Sequence, residues 1–199
     1  MGTNKSPVLL AVPPNARSLI EEHYEGAAAA LGAYFELAPW PPANWDDAKG
    51  DAKHAEAIAK ALEGVVHSSD TDFDYVPCVL HGVDLKKGLF AALGIKKTDR
   101  FSVGGYDNAK LTVTAASKKH PPLRLMAHLV NDDTWAELDE YVEQGDQQAY
   151  AKAAKALESV GDVVGVCLCA NDGATKLVFT MAKAASGAWS GVLAVRTET

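Results

Sequence analysis

Residues 163–199 read VVGVCLCANDGATKLVFTMAKAASGAWSGVLAVRTET, and how this stretch divides decides the fold. Residues 163–170 are apolar on both faces, which predicts a strand in the middle of a sheet. Asn171-Asp172-Gly173 supplies residues that tolerate left-handed backbone, so the chain turns there. Residues 177–182 predict the next strand, and Ser186-Gly187 turns the chain again. Residues 189–195 predict the last strand, with Ser190, Val192, Ala194 and Arg196 along one side. Short turns between three strands make a C-terminal antiparallel meander. Arg196-Thr197-Glu198-Thr199 continues the last strand with no polar linker. That confines the Thr199 carboxylate and hydroxyl to a small volume.

Upstream, Tyr150, Ala153, Ala154 and Leu157 share one face of a predicted helix bounded by Gly145 and Gly161. Thr134-Trp135-Ala136-Glu137 is a capping box that opens a helix to about residue 142. Residues 111–114 and 123–126 alternate as strands, and turn residues 117–122 join them as a hairpin. Residues 84–93 read as a short amphipathic helix ended by Gly94. Residues 75–80 read as a strand that Pro77 restricts to an edge or a bulge. Asn44 caps a helix through Ala48, Ala52, Ala55, Ala59 and Leu62, which Gly64 stops. Residues 15–38 read as one helix broken by Pro39-Trp40-Pro41-Pro42. Helices, then strands, then helices, then a meander predict an α+β fold with a mainly antiparallel sheet. We expect residues 1–43 to be a helical extension packed on a main domain of residues 44–199.

The bulk composition narrows the function. Of 199 residues, 48% are hydrophobic, enough for a packed core. With 19 basic and 26 acidic residues the net charge is −7, and the richest lysine clusters, Lys96-Lys97 and Lys118-Lys119, are only pairs. Direct nucleic-acid binding is therefore not expected, and a cationic protein partner suits the charge. Cys78, Cys167 and Cys169 cannot all pair, and none has metal-ligand spacing. They read as buried small hydrophobes in a reducing, cytoplasmic setting. No run approaches the roughly 18 apolar residues of a membrane span. Met1-Gly2-Thr3-Asn4-Lys5-Ser6 fits the N-myristoylation pattern, so Gly2 is a candidate acceptor if the host is eukaryotic.

Signatures of catalysis are missing. There is no Gly-x-Ser-x-Gly elbow, and Gly104-Gly105 lacks the spacing and lysine of a phosphate loop. Histidines 23, 54, 67, 81, 120 and 128 have no metal-type spacing. Cys78 and His81 lie at one strand end, but Asp72, Asp74 and Asp84 nearby would raise the thiol pKa. We expect no cofactor, no bound metal and no catalytic residue. The loop Asp70-Thr71-Asp72-Phe73-Asp74 stands out instead. Its three carboxylates alternate, so an extended chain sets them on one side. The glycine bend and distal Glu of a calcium loop are missing. Regularly spaced carboxylates also suit a basic groove built for a phosphate backbone.

The acidic loop and the tail together resemble one family, the nuclease A inhibitor-like proteins of bacteria. Residues 62–75, LEGVVHSSDTDFDY, are similar to that family's helix-end glycine, aliphatic pair, acidic loop and first strand. Residues 166–199 are similar to its final meander and Glu-Thr end, and residues 151–160 to the helix before it. The resemblance implies an α/β/α sandwich. It also implies a non-catalytic module that binds a metal-dependent nonspecific nuclease. In that family the acidic loop and the C-terminal threonine make the contact, the tail approaching the catalytic magnesium through water. By position the loop contact falls on Asp70, which is shorter than the family's Glu, and the tail contact on Thr199. The expected partner-binding residues are Asp70, Asp72, Asp74, Glu198 and Thr199. Residues 1–43 have no counterpart, and residues 83–130 match poorly. Two other expectations stay open: an interaction or scaffold protein of the same fold without nuclease inhibition, and a cysteine-dependent enzyme.

Overall fold

The computed structural model describes residues 7–67, 70–87, 89–93, 144–169 and 175–197. The predicted hairpin at 111–126, the helix at 134–142, Glu198 and Thr199 lie outside them. The described elements run β1 (Leu9–Ala11), α1 (Pro14–His23), α2 (Glu25–Tyr34), β2 (Glu36–Ala38), α3 (Ala48–Ala61), β3 (Val66–His67), β4 (Phe73–Asp74) and β5 (Val76–His81). They continue with α4 (Leu89–Leu93), α5 (Gln144–Val160), β6 (Val163–Cys169), β7 (Thr175–Lys183) and β8 (Trp189–Thr197).

Six strands form one sheet in the order β2-β1-β5-β8-β7-β6, and β3 and β4 form a separate two-stranded hairpin. Only β1 and β2 pair in parallel; every other described pair is antiparallel. The fold is α+β with a C-terminal meander, as the periodicity predicts. Side-chain alternation sorts the two faces of the sheet. On one face the Phe35 ring, at the end of α2, lies 5.8 Å from Phe179 of β7. On the other, Ala55 of α3 packs with Ala11, Val79 and Ala188. Helix α5 lies against α3 and β7. Helices thus cover both faces, and Phe179, Leu193 and Trp189 are fully buried. Each such side chain contributes about 1.5–3 kcal/mol relative to exposure.

Several expectations change. Residues 7–38 do not lie beside the domain as an extension: β1 is hydrogen-bonded between β5 and β2 within the main sheet. The single helix expected over 15–38 is two helices and a strand. Tyr24 leaves helical geometry at φ −134°, ψ 70°, and its N–H still donates to Ile20 O at 2.9 Å. Its ring is held edge-on by Phe73 at 5.4 Å, a long-range contact with no local signature. Among the described residues β6 pairs with β7 alone. Helix α2 packs on it, and Val164, Val166 and Leu168, which share one face, are buried. Pro77 sits in β5, between β1 and β8. The β1 pairing ends at Val79, so among the described residues Pro77 is paired with β8 alone, at Val192, and a missing N–H is tolerated there. Gly145 lies inside α5 instead of ending a helix. Helix α4 starts later than expected because the Asp84 carboxylate accepts from Lys86 N–H at 3.2 Å and holds a turn.

Candidate functional site

The acidic loop is the connection between β3 and β4. Val66 pairs with Asp74 and His67 with Phe73, so the hairpin has two sides. Phe73 and His67 face inward and are buried, while Val66 and Asp74 face outward and are exposed. Asp70 and Asp72 are exposed as well. Asp72 and Asp74 flank the buried Phe73, which sets both on the outer side, as alternation predicts.

This hairpin lies against the end of β8. The Asp70 backbone N–H donates to the Thr197 carbonyl at 3.0 Å. The Thr71 hydroxyl is 3.1 Å from the Thr197 hydroxyl, across 126 positions of sequence. A third tether comes from the first helices: the Tyr24 hydroxyl donates to the Asp72 carbonyl at 3.3 Å. Of the expected contact residues, Asp70 therefore sits beside Thr197, and Asp72 and Asp74 are exposed on the same hairpin. Glu198 and Thr199 lie outside the described residues.

Beneath the loop is a buried polar chain that the sequence did not announce. The Tyr75 hydroxyl lies 3.4 Å from His67 Nδ1 and 3.2 Å from the Tyr150 hydroxyl. His67 Nε2 has no hydrogen-bond partner among the described residues. Burial, with the Arg196 charge adding to it, lowers the His67 pKa to about 4, so the ring is neutral near pH 7. Burial is also the main cause raising the Tyr75 and Tyr150 phenols. The only local sign of this chain is His67 opposite an aromatic in a two-residue strand.

A second buried polar group sits at the far end of the sheet. Asp51, in the first turn of α3, is 0% exposed. It accepts from Trp45 Nε1–H at 2.8 Å and from the Ser186 hydroxyl, which is 2.9 Å from each carboxylate oxygen. The Trp45 ring stacks on His81 at 4.6 Å and 11°.

Cys78 and His81 do not meet as a dyad. Three positions apart on β5, they leave opposite faces of the sheet. Cys78 is fully buried against Met181 Sδ at 3.6 Å, and burial pushes its thiol far above the ordinary range. That works against the thiolate a nucleophile needs. Among the described residues no three His, Cys, Asp or Glu side chains gather as a metal site, and no helix is long and apolar enough to cross a membrane. No protein-family model and no curated protein matches the chain.

Proposed function

We propose that the protein is a non-catalytic protein-binding module that inhibits a metal-dependent nonspecific nuclease by docking its acidic edge in the enzyme's basic cleft. One observation carries this reading: the hydrogen bond from Asp70 N–H to Thr197 O. It puts the acidic loop and the end of the last strand on one edge, and these are the two regions that the family resemblance implicates. Thr199 follows Thr197 by two residues in the sequence, and the proposal has loop and tail address the same partner surface. Exposed Asp70, Asp72 and Asp74, on a chain of net charge −7, favour a cationic cleft and fast, salt-sensitive association. The three cysteines suit a reducing, cytoplasmic setting. If the host is eukaryotic, Gly2 is also an acylation candidate.

The test is titration of the full chain against a magnesium-dependent nonspecific nuclease, beside Asp70→Asn and a variant lacking Glu198 and Thr199. The expected result is stoichiometric inhibition that weakens with salt, and at least about tenfold weaker inhibition by each variant, on the scale of one lost charged contact. Full inhibition by both variants would refute the site. A second reading, an interaction protein of the same fold without nuclease inhibition, is favoured by residues 7–38. They lie outside the resemblance, yet supply two strands of the sheet and the Tyr24 tether. No nuclease binding at low salt, with another protein partner recovered stoichiometrically, would select that reading.

A further inference from the structure

We infer that His67 is a proton-operated latch on the acidic hairpin: neutral, it holds β3 and β4 down on β8 and α5, and protonated, it releases them. The inference rests on the proposed function only for its consequence, loss of the partner-binding edge in acid. The latch itself is a property of the free protein.

The geometry is that of a lid held from below. Between β3 and β4 the described pairing is two residue pairs long. Its inward side chains are Phe73 and His67, both nearly inaccessible, at 2% and 1% exposure. Through Tyr75, His67 connects to Tyr150 of α5. Among the described residues, the charged and titratable groups around the ring and its tyrosines come from three places. Tyr75 follows β4, Tyr150 and Asp146 come from α5, and Arg196 comes from β8. Arg196 repels a charged ring, and Asp146 acts on the two tyrosines. Among the described residues no carboxylate forms an ion pair with His67. With no such partner among the described residues, a proton on the ring would be a buried charge, and opening the hairpin to water would solvate it. The Asp70–Thr197 and Thr71–Thr197 bonds would open with it.

The sign follows from linkage. Closed, the ring takes a proton only near pH 4; open, it does so at its ordinary 6.5. Opening is at its minimum above pH 6.5 and grows as pH falls toward 4. The difference of about 2.5 units makes opening roughly 20-fold more frequent at pH 5 than at pH 7, and at most about 300-fold in stronger acid.

The experiment is hydrogen exchange of the Asp70 amide in the full chain, without partner, at pH 7 and pH 5, corrected for intrinsic exchange. The expected result is a roughly 20-fold fall in protection, reduced to less than about twofold in His67→Gln. Equal falls in both proteins, or no fall in the parent, would overturn the latch. Should His67→Gln fail to fold, ring NMR titration of the parent decides: a His67 midpoint near 6.5 in the folded protein refutes the inference. None of these readings depends on a nuclease, so failure of the latch and failure of the proposed partner are told apart.

Discussion

Replacing Asp51 by Ala removes a buried carboxylate that ties the start of α3 to the segment before it and to the distant β7–β8 turn. Asp51 is in the first turn of α3, Trp45 in the segment before it, and Ser186 in the β7–β8 turn. The substitution deletes hydrogen bonds from an indole N–H at 2.8 Å and a hydroxyl at 2.9 Å to a charged acceptor. Such bonds are each worth about 1.5–3 kcal/mol. Trp45 and Ser186 are only half-buried, so water recovers part of the loss. The net cost is about 3 kcal/mol. For a chain of 199 residues this lowers Tm by about 6–12 °C, at about 2–4 °C per kcal/mol. Urea denaturation followed by circular dichroism measures the loss, and a cycle with Ser186→Ala isolates the pair. We expect a coupling of at least about 1 kcal/mol. A cost for Asp51→Ala below about 1 kcal/mol, or a coupling indistinguishable from zero, would show that the carboxylate is not the tie described.

Other outcomes follow from single contacts. Gly191→Ala should destabilise by about 3 kcal/mol or more, because its Cβ would lie 1.9 Å from Thr180 O and 2.8 Å from Met181 Cα inside the β7–β8 ladder. Gly32→Ala in α2 meets nothing within 4 Å and should stabilise by about 0.5–1 kcal/mol, so paired thermal melts check both. Cys78, in a Cys167→Ser, Cys169→Ser background, should label at neutral pH at least about 100-fold more slowly than a free thiol. Labelling faster than a free thiol would revive the cysteine-enzyme reading. Tyr24→Phe should cost about 0.5–1 kcal/mol, the hydroxyl's share. Tyr24→Ala should cost about 3 kcal/mol because the edge-on contact with Phe73 goes too, and urea denaturation separates the two values.

Local patterns carried part of this protein into view. Alternation over residues 177–182 and 189–195 and the turn at Ser186-Gly187, with Gly187 at φ +89°, identify the meander before any fold is known. Helical spacing of alanines through α3 and the stop at Gly64, φ +83°, are equally local. The acidic loop is legible because residue type and spacing are all it requires. Partners across the chain are not legible in this way. An apolar run such as β6 records burial, but it does not name the strand beside it. Residues 15–38 read locally as one helix; the hold on Tyr24 separates α1 from α2, and pairing with β1 draws residues 36–38 into a strand. Asp51 and His67 look like surface residues until their hydrogen-bond partners, 135 and 8 positions away, close over them. The sequence by itself determined periodicity, turns and charge, which depend on neighbours along the chain. The tertiary structure alone decided that Asp70 meets Thr197, because strand pairing and burial of polar groups are settled between segments that no short-range pattern connects.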